Sequence, residues 1–153
     1  MKKIKTLLAA FSMLLATTAF ATDGVKVTAK VAASFQQDFS QASSVSWKVN
    51  SDLYFASFQL NGVSVDAAYT TDGELVGTAR KLDIDQVPLA VSMEIAKKYS
   101  GYSVSANVLE TNFDGQTSYY IDVQDNSQSL SLKCGSNGDI SVSSRTKKQV
   151  VKS

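Results

Sequence analysis

The chain has no histidine and only one cysteine and one proline among its 153 residues. Without histidine it lacks the usual general base and the commonest metal ligand, and Cys–His and Ser–His–Asp arrangements are excluded. With Cys134 alone there can be no intramolecular disulfide, so stability must come from a hydrophobic core. No glycine-rich phosphate loop precedes a helix, and no dinucleotide fingerprint is present. The one long apolar run, Leu7 to Ala16, falls short of the roughly 20 residues that a membrane-spanning helix needs.

That run instead has the grammar of a secretory leader. Lys2, Lys3 and Lys5 precede it, and Ala19-Phe20-Ala21 follows with small residues where a signal peptidase reads, so cleavage is expected after Ala21. The mature chain is then expected to be periplasmic or secreted, with no stable membrane anchor. Without the leader's three lysines it carries 12 Lys and Arg against 14 Asp and Glu. Four of those cations (Arg145, Lys147, Lys148, Lys152) crowd the C-terminus, so residues 22–144 hold 8 positive and 14 negative charges. An acidic body argues against nucleic acid, which is bound by a basic face or stripe. Residues 147–153 read as a basic, solvated tail.

The strongest internal signal is a self-match. Shifted by sixty-five residues, Tyr54-Phe55 falls on Tyr119-Tyr120, Asn61 on Asn126, Ser64-Val65 on Ser129-Leu130 and Asp72-Gly73 on Asn137-Gly138. Such a period marks one supersecondary unit used more than once. Val27, Val31, Phe35, Phe39 and Ala42 form one face of a helix, with Thr28 to cap it and an end near Gln41. Alternation then predicts a strand from Val45 with Trp47 in the core, and a second with Tyr54, Ala56, Phe58 and Leu60 inward. After the Asn61-Gly62 hairpin come Val63, Val65, Ala67 and Tyr69 on one face, then an Asp72-Gly73 turn and a strand over residues 74–80.

The second unit opens with Pro88 in a helix's first turn, then Val91, Ile95 and Tyr99 at four-residue steps, with Gly101 as a left-handed cap. The helices match at an offset of sixty and the sheets at sixty-five. Five extra residues must therefore lie between Val108 and Tyr119, where Phe113-Asp114-Gly115-Gln116 predicts a longer hairpin. The expected fold is α+β: a tandem repeat of a helix followed by an antiparallel β-meander, with the helices packed on one face of the sheet. The expected organisation is a leader over residues 1–21, repeats over 22–86 and 87–146, and the tail. Whether the meanders join into one sheet is open at this point.

Chemistry-bearing constellations are sparse. Lys97-Lys98 with one of many serines would be needed for an atypical Ser/Lys hydrolase, but the lysines read as a solvated helix face. Asp83 and Asp85 lack the further oxygen ligands of a calcium loop. No catalytic residue, cofactor or metal is expected. Cys134, counterpart of Tyr69, reads as a buried structural thiol. What remains is the sheet face turned away from the helices. There Phe55 and Tyr120 occupy matching positions among small polar residues, with Arg80 and Arg145 nearby, and these two aromatics are the candidate partner-binding residues. The alternative is that they pack cross-strand.

The helix ending in Phe35 and Phe39, the Val45-x-Trp47 strand, Tyr54-x-Ala56-x-Phe58 and the Asp72-Gly73-x-Leu75 turn together resemble the periplasmic PepSY-like, beta-lactamase-inhibitor-like proteins of Bacteroidetes-type bacteria. Pro88, Val91, Ile95, Tyr99, Gly101-Tyr102, Tyr119, Val123 and Asn137-Gly138 carry the resemblance in the second copy. It implies tandem helix-plus-sheet repeats with a sheet face free to grip a partner, no cofactor and no catalytic residues. Ala67-Ala68-Tyr69 and Gly77-Thr78 depart from the bulkier strand residues of that family, and the disulfides of the secreted inhibitor are missing. The function expected is an exported, non-catalytic, inhibitor-like binding module with a protein partner. The alternative is a small-ligand sensor or envelope-stress accessory protein with a pocket between the repeats.

Overall fold

The computed structural model describes residues 25–148, so the leader, its cleavage site and the end of the basic tail lie outside the described residues. Two α-helices and an eight-stranded sheet, its strands ordered as in the chain, make an α+β protein. The chain divides into two compact units, one up to Ala79 and the other from Arg80 onward. None of the described helices is long and apolar enough to cross a membrane.

In the first unit α1 spans Ala29–Asp38, and Thr28 caps it by accepting the Val31 N–H on Oγ1 at 3.3 Å. The helix ends at Asp38, three residues short of the Gln41 expected from periodicity. Phe39 leaves helical geometry at φ −131° while its N–H still reaches the Phe35 carbonyl at 2.8 Å. The rings explain this exit. Phe39 stacks at 4.8 Å on Phe58, and a further helical turn would carry the chain away from the strand it must enter. Strand β1 (Ser43–Asn50) accordingly starts two residues before Val45, with Ser44 at φ +53° and a bulge between Ser43 and Ser46.

Strands β2 (Leu53–Leu60) and β3 (Val63–Thr70) pair antiparallel through Asn61-Gly62, both at positive φ as a type I′ turn requires. Strand β4 (Leu75–Asp83) runs three residues beyond its predicted end. The inward residues of β2 and β3 meet α1 in a core of Val31, Phe35, Ala56, Phe58, Ala67 and Tyr69, with Trp47 packed against it as expected. Phe35 is the hub, its ring 5.1–5.2 Å from Phe58 and Trp47 in edge-on contacts. Tyr69 donates to Asp38 at 2.8 Å and so ties the sheet to the last residue of α1. Val45 and Val49 share Trp47's parity but stay 39% and 46% exposed, so β1 is less buried than alternation predicted.

In the second unit a 3₁₀ turn (Ile84–Gln86) leads through Pro88, which is the N-cap rather than the first helical residue, into α2 (Leu89–Lys98). Gly101 does not adopt a left-handed conformation, contrary to expectation. Tyr99 closes the helix through its N–H to Ile95, and its ring packs edge-on against Tyr102 at 5.5 Å. Strands β5 (Ser103–Phe113), β6 (Gln116–Gln124), β7 (Gln128–Gly135) and β8 (Ile140–Lys147) pair antiparallel in turn. The extra residues do fall before Tyr119, but they lengthen the β5–β6 ladder out to Phe113 opposite Gln116, and the turn stays at Asp114-Gly115. The core here is mainly aliphatic, with Val91, Ile95, Val108, Ile121, Val123, Leu130 and Leu132 around a fully buried Cys134, and it includes the ring of Tyr119. Burial pushes that thiol up to about 11, as befits a structural cysteine.

Candidate functional site

Strand parity places Phe55 and Tyr120 on the side of their strands opposite the two cores, as the sequence reading required. Their surroundings differ from the exposed aromatic anchors expected there. Phe55 sits between Lys48 on β1 and Ala68 on β3 and is only 2% exposed, while Ala68 is wholly buried. A ring so enclosed packs within the fold, as cross-strand aromatics do. Tyr120 sits between Leu109 on β5 and Lys133 on β7 and is half-buried. Its hydroxyl is buried with no hydrogen-bond partner among the described residues, and burial pushes its pKa up.

The polar residues flanking these aromatics behave differently in the two units. On β2 and β3 they close on one another. Ser57 donates to Asp66 across the pair, and Gln59 Nε2 reaches Ser64 Oγ at 2.6 Å. On β6 and β7 the corresponding residues, Asp122 opposite Ser131 and Gln124 opposite Ser129, face one another in register without a side-chain hydrogen bond. Alternation from the inward residues of β6 and β7 already puts these four on the outer face. It missed Ser103 on β5 and Ser144 and Thr146 on β8, which extend the same rows; tracing register across all four strands would have found them.

The arginines do not join this face. Arg80 Nε pairs with Glu110 at 2.6 Å, and Glu110 stands opposite the core residue Tyr119. Arg145 stands opposite Leu130, another core residue. Both therefore lie on the helix-facing side; for Arg145 the cause is the β7–β8 bulge at Ser131/Leu132, which shifts the pairing by one residue. Lys97 and Lys98 pair with Glu94 at 4.0 and 3.1 Å along α2, consistent with a solvated helix face. Among the described residues no three His, Cys, Asp or Glu side chains come together as a metal site.

No family model matches the chain, and no curated protein does either. Solved structures do match. A DUF2874 family protein from Bacteroides ovatus superposes with a TM-score of 0.69 at 23% identity, over 81% of this chain and 89% of that one. A protein from Bacteroides eggerthii, provisionally described as periplasmic, gives 0.67 at 22%, over 80% and 90%. A BLIP-like protein from Bacteroides fragilis gives 0.69 at 16%, over 86% and 92%. At these identities the shared property is the fold, and this chain has the BLIP-like fold.

Proposed function

We propose that the protein is an exported, non-catalytic binding module, inhibitor-like in architecture, that contacts a protein partner through the sheet face opposite its helices. The observation that carries this reading is the Tyr120 hydroxyl. A buried polar atom without a partner costs on the order of 1–3 kcal/mol, and such costs are tolerated where a group serves binding rather than folding. A partner's polar atom would satisfy it once binding opens the face over the hydroxyl. Phe55 holds the matching position in the first unit, and its burial makes it a support of the face rather than a point of first contact. The leader-like N-terminus and the likeness to a protein provisionally described as periplasmic support export. The BLIP-like fold supports a protein partner. We read the two units as a duplicated helix-plus-meander within the PepSY-like group, which their matching turns and helix positions support.

The test is photo-cross-linking in the native periplasm from a residue introduced at Ser118 or Lys133, with Ala33 on the exposed side of α1 as control. The reading expects cross-links to one protein from the first two positions and none from Ala33. Cross-links from Ala33 alone, or undiminished capture by a folded Phe55→Ser/Tyr120→Ser double variant, would sink it.

A further inference from the structure

On the outer side of β5–β8 lies a hollow of about 500 Å³, within the roughly 300–1,000 Å³ usual for small-molecule sites. Two lateral rows of polar side chains line it, with Ser105 and the apolar Val104, Val123 and Leu130 beside them. One runs Ser103, Gln124, Ser129, Thr146 across all four strands, each opposite the next in register. The other runs Asp122, Ser131, Ser144 across β6, β7 and β8. None of these seven side chains hydrogen-bonds another described residue. The first unit offers the internal comparison, since there the same two positions on each central strand form the Ser57–Asp66 and Gln59–Ser64 bonds. Ser43 and Ser46 on β1 flank Gln59 and Ser57 much as Ser103 flanks Gln124, so the difference lies in the carboxylate, which stands on β6 rather than β7 and leaves open in the second unit the pair that is closed in the first.

We propose that these rows bind a neutral, polyhydroxylated ligand of the saccharide class. Each lining hydroxyl both donates and accepts, the Gln124 amide does the same, and Asp122 adds an acceptor for paired hydroxyls. No lysine or arginine lines the hollow, and Asp122 is its only charge, which disfavours an anion. One carboxylate is too few for a hard cation, which gathers 6–8 oxygens, several of them anionic. An apolar ligand would leave every one of these groups unsatisfied. A compound with several neutral hydroxyls is the ligand whose chemistry the lining complements. Phe55 and Tyr120 are not part of the hollow, so this inference does not rest on the protein-partner reading.

The test is NMR shift mapping on the isotope-labelled mature chain, with maltotriose, chitobiose and mannobiose as probes and triethylene glycol, inorganic phosphate and calcium chloride as controls. Saturable shifts at Gln124, Ser129 and Ser131 with at least one saccharide are expected. The Asp122→Ser/Ser131→Asp double variant, which copies the closed pair of the first unit, should weaken that binding by about tenfold or more. Should it fail to fold, Gln124→Ala serves with the same expectation, as an exposed position that leaves the core untouched. The proposal is overturned if no saccharide shifts these rows, if phosphate or calcium shifts them instead, or if the folded variant binds as the parent does.

Discussion

The same chemical change, removal of a tyrosine hydroxyl, should have opposite signs at two sites in this protein. Tyr69 is wholly buried, and its hydroxyl donates to Asp38 at 2.8 Å. Tyr69→Phe removes a hydrogen bond to a carboxylate, a class of interaction that contributes about 1.5–3 kcal/mol. Asp38 itself is exposed and can turn to water, so the low end, about 1.5 kcal/mol, is the expected loss. The Tyr120 hydroxyl is buried too, but no described residue bonds it. Tyr120→Phe keeps the ring and removes only the unsatisfied atom, so it should stabilise the fold by about 1 kcal/mol. Urea unfolding of the two variants beside the parent measures both, with equal m-values required for the comparison. If Tyr120→Phe destabilises as much as Tyr69→Phe, the Tyr120 hydroxyl has a partner after all. A hydroxyl held open for binding is then ruled out. If the variant is more stable yet cross-links poorly, stability and function have been separated at a single atom.

Three further outcomes follow from the geometry. Gly62 and Gly138 both have positive φ, but a Cβ at Gly62 meets open space while one at Gly138 would sit 3.0 Å from the Ala90 carbonyl. Gly62→Ala should therefore cost about 1 kcal/mol from backbone strain alone. Gly138→Ala should cost at least twice that, and equal losses in urea titration would refute the helix contact. Asp125 accepts from the Ser127 and Gln128 N–H groups and the Ser127 hydroxyl, which hold its pKa down at about 2 against an ordinary 3.8. Because the folded value is the lower one, its contribution to stability is complete above pH 4 and disappears as pH falls towards 2. Asp125→Asn should flatten that part of the acid profile, measured by thermal melts across the window. Cys134, buried and with its thiol pushed up to about 11, should react with an aromatic disulfide reagent only as fast as the protein opens. Rapid labelling under native conditions would contradict its place in the core.

Parity and turn chemistry made most of the fold legible, because both are local. Thr28 as a cap, Asn61-Gly62 as a hairpin and the inward run Tyr54, Ala56, Phe58, Leu60 all follow from residues within a few positions of one another. Long-range packing decided the rest. The exit from α1 came early because Phe39 found Phe58, nineteen positions away in the chain. Gly101 was read as a cap because glycine permits one, yet Tyr99 had already closed the helix. The candidate site was half legible. Outer-face residues of β6 and β7 came from alternation, but their extension onto β5 and β8 depends on bulges at Val104/Val108 and Ser131/Leu132 that no local pattern announces.

The two units reach the same local architecture with different interiors, and that difference bears on which side of each is free to change. Rings gathered on Phe35 fill the first core, while branched aliphatics, one thiol and the ring of Tyr119 fill the second. Large aromatic and small aliphatic sets both satisfy a helix on a sheet, provided volume is conserved. Gly73 is fixed by its close approach to Lys30, and Gly138 by its approach to Ala90, so in each unit the last turn is pinned to the helix by the absence of a side chain. The outer faces carry no such constraint, since their residues need satisfy only one another or water. One face closed its polar rows and buried its aromatic. The other left a hydroxyl orphaned and seven polar side chains without partners among the described residues. Folding alone does not ask for that arrangement, because Ser57–Asp66 and Gln59–Ser64 show that equivalent positions can satisfy themselves. If the outer face binds as proposed above, this difference assigns recognition to the second unit rather than equally to both.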